Sequence, residues 1–161
     1  MPPFEQTLTS SAYVFTITDQ VDPDYLKYLT RKVRPYQPTI TTRLGTRIDI
    51  SLDDPEGDIV AGIAALTVDD TLFIDVIWVE ASLRKRGIAR QLIRMTEEIA
   101  LGRSCHQAEV TYAPEPLFYQ KLGYTISGKL TQFQTGQRFF RLQKTLVAPI
   151  RSDFSLEELL A

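Results

Sequence analysis

Apolar residues recur along this chain with two different periods, and the switches between them divide it into elements. Tyr13 to Thr18 (YVFTIT) is apolar and β-branched and reads as a first strand. Asp22-Pro23-Asp24 offers helix-start chemistry, and Tyr25, Leu26, Tyr28 and Leu29 give the next helix an apolar face before Pro35 and Pro38 end it. From Arg43 to Leu52 the chain alternates, with Leu44, Ile48, Ile50 and Leu52 sharing parity. A turn at Asp53 to Gly57 leads into a further strand, Asp58 to Val68, so the two are expected to pair as a hairpin. Gly62, in the middle of the second, suggests a bulge or a close approach of another group to the backbone.

Past Asp69-Asp70, Thr71 to Val79 (TLFIDVIWV) is almost continuously apolar, as a central strand covered on both faces should be. The period then lengthens. Ile88, Leu92, Met95 and Ile99 recur at helical spacing between Arg86 and Ala100, with Gly102 as the stop. Cys105 to Tyr112 is strand-like. Pro114 and Pro116 suit a helical first turn, Phe118, Tyr119 and Leu122 fill it, and Gly123 ends it. Thr125 to Leu130 and Arg138 to Leu146 are the last strands, separated by a polar turn at Gln132 to Gln137. In the tail, residues 147–161, Ser155 to Glu158 has capping-box spacing and predicts a short terminal helix that self-docks, frays, or meets a partner or a second copy. With no repeat, low-complexity tract or linker, residues 1–161 read as a single α/β (α+β) domain with a strand–helix–strand unit at its centre.

Composition narrows the chemistry by exclusion. A net charge of −2 over 161 residues argues against a general nucleic-acid binder. The single cysteine, Cys105, and single histidine, His106, leave no intrachain disulfide and no cysteine- or histidine-rich metal site, so no metal is expected. His106 has no catalytic partner in view, and Cys105 reads as a small buried residue. There is no G-x-S-x-G elbow, Walker loop or G-x-G-x-x-G. The start, MPPFEQTLTS, lacks the features of a signal peptide, and no apolar run approaches the roughly eighteen residues of a membrane span. A reducing, cytoplasmic setting without a membrane partner is the expectation.

The basic residues are instead concentrated between Arg84 and Arg94. Arg84, Lys85, Arg86 and Arg90 surround Gly87 at the start of the central helix, where the helix dipole is positive, and Glu97 and Glu98 lie towards its other end. Cations at a helix N-terminus suggest that an anion occupies it. Unpaired N–H groups there form a ready anion site, and a glycine lets a phosphate approach without a Cβ in the way. Arg84 and Arg86 can add charge-assisted bonds. The alternative is a solvated basic helix end with a turn glycine.

Arg84-Lys85-Arg86-Gly87-Ile88-Ala89 matches R/Q-x-x-G-x-G/A and resembles the pyrophosphate loop of the GNAT superfamily of acyl-CoA-dependent N-acyltransferases. Downstream, Phe118-Tyr119-Gln120-Lys121-Leu122-Gly123-Tyr124 resembles the F-Y-x-K-L-G-F/Y signature of the same family. The likeness covers about residues 13 to 146. It implies a mixed, twisted, mostly antiparallel sheet of six to seven strands with a central splayed pair and helices on both faces. It also implies acetyl-CoA as co-substrate, held by Ile77, Trp78 and Val79 of the splayed strand, by Arg84, Lys85, Arg86, Gly87, Ile88, Ala89 and Arg90, and by Tyr119. The N–H of Val79 would meet the thioester oxygen, an interaction of the kind that contributes strongly to rate.

Two residues are candidates for proton transfer. Tyr119 matches the tyrosine that protonates the departing thiolate in many members; the alternative is a tyrosine packed beside Phe118. Asp75 interrupts an apolar strand and shares parity with Ile77 and Val79, which suits a general base on the cleft side. A buried aspartate holding backbone N–H groups is the alternative, and Glu80 and Glu109 are rivals for the base. The resemblance thus implies an N-acetyltransferase acting by direct attack in a ternary complex, on a small-molecule or protein amine, with a possible homodimer. A non-catalytic acyl-CoA-binding regulatory module is the second reading. Tyr25, Tyr28 and Tyr36 are candidate acceptor-pocket residues.

Overall fold

Where alternate residues are apolar and one parity faces a helix, strands pair into a sheet whose two faces differ, and that is the arrangement here. The computed structural model describes residues 5–10, 12–33 and 44–148. In chain order these form β1 (Glu5–Ser10), β2 (Tyr13–Thr18), α1 (Pro23–Val33), β3 (Thr46–Asp53), β4 (Ile59–Val68), β5 (Thr71–Val79), α2 (Ile88–Gly102), β6 (Gln107–Ala113), α3 (Pro116–Gln120), β7 (Thr125–Thr131) and β8 (Arg138–Thr145). The strands make one eight-stranded sheet in the order β1-β2-β3-β4-β5-β6-β8-β7, antiparallel throughout except for the parallel pair β5–β6.

The sheet exceeds the expected six to seven strands by β1, a polar segment that pairs antiparallel with β2 from Glu5 opposite Thr18 to Ser10 opposite Tyr13. The β3–β4 hairpin forms as predicted, but Leu44 precedes β3 and stands 93% exposed, so it does not share the buried parity of Ile48, Ile50 and Leu52. Arg43, Pro35, Pro38, Tyr36 and the tail helix lie outside the described residues.

Helices cover both faces. Beneath α2, Phe15, Ile50, Leu52, Ile63 and Ile74 meet Leu92 and Ile93. On the opposite face, Tyr25 and Leu29 of α1 pack on Ala64 and Val76. Asp22 caps α1, its Oδ1 accepting the N–H groups of Asp24 (3.0 Å) and Tyr25 (3.2 Å), a contact that stabilises a helix by about 1 kcal/mol. The Tyr25 hydroxyl then lies across β4, 2.7 Å from the Ile50 carbonyl and 3.0 Å from that of Ile63. This explains Gly62: a Cβ there would stand 2.5 Å from the Tyr25 hydroxyl. The α2 helix closes two residues later than expected, with Arg103 as its C-cap and Ser104 taking the left-handed turn (φ 66°).

Candidate functional site

The sheet opens at its centre. β5 and β6 pair only from Thr71 opposite Gln107 to Ile74 opposite Val110, and beyond that point the two strands have no ladder between them. The opening is a cleft of about 730 Å³ with Asp75, Trp78 and Val79 of β5 on one side and Tyr112 of β6 on the other. Arg84 and Ala89 line its loop end, and Phe118 and Tyr119 of α3 close it below.

Backbone groups of β5 turn into this opening. The N–H of Glu80 donates to the Val60 carbonyl at 2.9 Å, which makes the facing residues Val79 and Ala61 a non-hydrogen-bonded pair. In such a pair each residue directs its own N–H and C=O away from the other strand. Ile77, opposite Ile63, stands in the same phase. The Val79 carbonyl accepts the Arg84 Nε–H at 2.9 Å, which ties the basic loop to the strand edge.

Between that strand and α2 the chain makes a 3₁₀ turn, Ala81–Leu83, and then two left-handed residues, Lys85 (φ 65°) and Gly87 (φ 84°). A left-handed lysine costs about 1 kcal/mol, and retained strain of this sort marks functional loops. The first intrahelical bond of α2 runs from Gln91 N–H to the Gly87 carbonyl (3.0 Å), so the N–H groups of Ile88, Ala89 and Arg90 precede the helix ladder. Gly87 caps the helix with no side-chain bond, and no acidic residue lies in the first turn. Arg84, Lys85, Arg86 and Arg90 are exposed around it. The Ile88 side chain is buried in the core, which leaves its backbone as the part able to meet a ligand.

The other half of the charge argument has a structural explanation. Glu97 is buried and accepts two bonds from Lys144 Nζ (2.8 and 2.9 Å) and a third from the Tyr124 hydroxyl (3.4 Å). Its place against the dipole reflects this contact and says nothing about a ligand.

Tyr119 is 7% exposed and packs edge-on to Phe118 and Tyr124, at centroid separations of 5.0 and 5.8 Å. Burial pushes its phenol well above the ordinary tyrosine range, so it is a proton donor throughout neutral pH.

The parity expected for Asp75 fails. Val76 faces Ala64 and Ile74 faces Ala65, so Asp75 is an extra residue at a β-bulge. Leu72 and Ile74 before the bulge belong with Ile77 and Val79 after it to the α2-side core, whereas Val76 packs under α1. Asp75 instead reaches Arg47, its Oδ2 lying 3.9 Å from Nη1. Arg47 is itself clamped by Asp49, with Nε donating at 3.2 Å and Nη2 at 2.7 Å. All three are buried, and burial raises the Asp49 carboxyl from its ordinary range despite the arginine. Asp75 still lines the cleft, by way of the bulge. The rivals do not: Glu80 is exposed and bonded through its N–H to β4, and Glu109 faces Arg141 at 3.8 Å.

Lys32, Tyr112, Glu115, Gln137 and the Arg47–Asp49 clamp are the residues that sequence reasoning did not find. Tyr25 and Tyr28 lie away from the cleft lining; Tyr25 is the strand anchor described above, and Tyr28 donates its O–H to the Ile59 carbonyl at 2.9 Å. His106 is exposed and Cys105 is buried, as expected. Among the described residues there is no group of side chains able to hold a metal ion, and no helix long and apolar enough to cross a membrane.

Comparison with known proteins agrees with this geometry. Residues 50–126 match the family model described as an acetyltransferase (GNAT) domain. The chain is 29% identical over 99 residues to the acetyltransferase Atu2258 of Agrobacterium fabrum, covering 60% of this chain and 72% of that protein. It is 27% identical over 138 residues to the blasticidin-S acetyltransferase of Streptomyces morookaense, covering 81% of this chain and 94% of that protein. The fold is similar to that of a putative acetyltransferase from Agrobacterium tumefaciens (TM-score 0.58, 24% identity, 79% of this chain and 95% of the other) and to that of an aminoglycoside 6'-N-acetyltransferase complexed with coenzyme A (TM-score 0.59, 17% identity, 84% of this chain and 98% of the other).

Proposed function

We propose that this chain, similar over residues 50–126 to the GNAT acetyltransferase domain and to two acetyltransferases, moves an acetyl group from acetyl-CoA to an amine by direct attack in a ternary complex. The observation that carries this reading is the unpaired edge of β5. The outward-turned backbone of Ile77 and Val79 lies in one cleft with the anion-binding helix start on one side and a buried tyrosine on the other.

In this reading the CoA pyrophosphate rests on the first N–H groups of α2, from Ile88 to Arg90, with the exposed loop cations around it. Trp78, between Ile77 and Val79, turns its side chain to the α1 face, so its share in the cofactor site is through the backbone. The thioester oxygen lies toward the Val79 N–H, which stabilises the negative charge as the tetrahedral intermediate forms. The amine nitrogen bonds to the carbonyl carbon, the C–S bond breaks, and the thiolate takes the Tyr119 proton. The proton lost by the amine passes to Asp75, directly or through water. The Arg47 guanidinium, 3.9 Å away, lies beside that carboxylate on the α1 side of the cleft.

A small-molecule amine is the favoured acceptor class, supported by relatives whose names specify blasticidin S and an aminoglycoside. The acetyltransferase relatives favour an enzyme over a non-catalytic acyl-CoA-binding module. The deciding experiment measures acetyl-CoA binding by calorimetry together with thiol release across a panel of amines. Micromolar binding with amine-dependent release is expected. Binding without release from any amine leaves the regulatory module in its place, and absence of binding overturns both.

A further inference from the structure

The cleft passes through the sheet, and its two mouths differ. The mouth on the α2 side holds Val79, Ala89 and Tyr119; the mouth on the α1 side is walled by Lys32, Val33 and Trp78. With acetyl-CoA on the loop at the α2 side, the amine enters from the α1 side, a placement that rests on the proposed acetyl transfer.

On that wall the Lys32 ammonium stands 5.1 Å from the Trp78 ring centroid and 5.2 Å from that of Tyr28. The two rings meet edge to face at 5.9 Å, and Tyr28 is itself fixed by its bond to the Ile59 carbonyl. The ammonium is therefore held over two aromatic faces at the entrance. Two of the other charged residues of the lining are engaged, and the third, the exposed Glu115, is on another element. Asp75 faces Arg47, Arg84 is bonded to the Val79 carbonyl, and Glu115 belongs to the turn between β6 and α3.

We propose that Lys32 determines acceptor specificity, selecting amines that carry an anionic group and disfavouring those with a second cation. An anion on the acceptor pairs with the ammonium. A second ammonium on the acceptor is repelled, and it also finds the aromatic faces that would bind it already occupied by Lys32. The site thus takes an amino acid or another amine bearing a carboxylate more readily than a polyamine.

Matched probes of one chain length separate the charge states: 4-aminobutyrate, 4-aminobutanamide and 1,4-diaminobutane. Two readouts are followed in the wild type and in Lys32→Glu, with Lys32→Gln as the isosteric neutral control. Thiol release from acetyl-CoA gives kcat/KM. Emission from Trp78, the single tryptophan of the chain, reports binding at the wall whether or not transfer occurs. In the wild type 4-aminobutyrate should be preferred over 1,4-diaminobutane by roughly fivefold, the upper end of what one exposed charge pair supplies. Lys32→Gln should abolish the preference and Lys32→Glu should reverse it. Turnover of all three amines with no change in their ranking overturns the proposal and leaves acetyl transfer standing. A charge-ranked Trp78 response without thiol release supports the wall's selectivity and overturns the transfer reading. No ranked response in either readout overturns the proposal.

Discussion

In the proposed function the two faces of the split sheet would recognise their ligands by different means. On the α2 side the groups that line the cleft and its loop are of the main chain: the first N–H groups of α2, a left-handed Gly87, and the outward backbone of Ile77 and Val79. On the α1 side they are side chains: the Asp49–Arg47–Asp75 cluster and Lys32 on its aromatic pair. Main-chain recognition survives most substitutions and depends on backbone conformation. Side-chain recognition is fragile, and it is where one member of a family can differ from another. The first face should therefore tolerate side-chain substitution better than the second.

Substitutions ordered by size break or sharpen this contrast. Arg47→Leu leaves the carboxylates of Asp49 and Asp75 buried beside an apolar side chain, and should lower stability by about 3–5 kcal/mol in urea unfolding. Adding Asp49→Leu should recover much of that loss; if it does not, Arg47 matters through packing and not charge. Next, Asp75→Asn should reduce kcat by about 100-fold or more with acetyl-CoA binding intact. Tyr119→Phe should cost on the order of 100-fold in kcat, again with unchanged CoA affinity. Because burial raises this phenol above its ordinary value of 10.0, it should add no limb to the pH–rate profile below about pH 10. An unchanged turnover would reduce it to a core residue.

On the main-chain face the effects should be smaller and of another kind. Gly87→Val forces a β-branched residue to φ 84° at the helix start, and should weaken acetyl-CoA binding by about tenfold while sparing kcat at saturation. Arg86→Gln removes one exposed cation and should alter CoA affinity by about threefold at low salt and less at high salt. A loss from Arg86→Gln larger than that from Gly87→Val would mean that charge, and not backbone geometry, holds the pyrophosphate.

What could be read from sequence follows the same division. The loop and the α3 segment are legible because backbone demands select residue types at fixed spacing: a glycine at a left-handed turn, a proline opening α3, and Gly123 at φ 94° closing it. The hairpin and the α2 packing face follow from strict alternation and helical period. The bulge at Asp75 could not be read, because β5 is apolar on both faces and an inserted residue leaves no mark on its pattern. Parity therefore paired Asp75 with Ile77 and Val79. β1 went unseen because EQTLTS is polar and carries no apolar alternation. Tyr28 and Lys32 are four apart on one helix and their contact follows from that spacing, but nothing local brings Trp78 to them. Glu97 misled in the opposite direction, since its partner Lys144 lies in β8, far along the chain.

The split between β5 and β6 also has a consequence for solubility. Strand edges with unpaired N–H and C=O groups are where sheets recruit foreign strands, and proteins ordinarily keep them short, charged or covered. Here such an edge runs through the middle of the sheet at Ile77 and Val79, with the Arg84 guanidinium covering the Val79 carbonyl. A ligand filling the cleft covers the rest. Self-association on heating should accordingly be slower with acetyl-CoA bound, by more than the rise in melting temperature alone would account for.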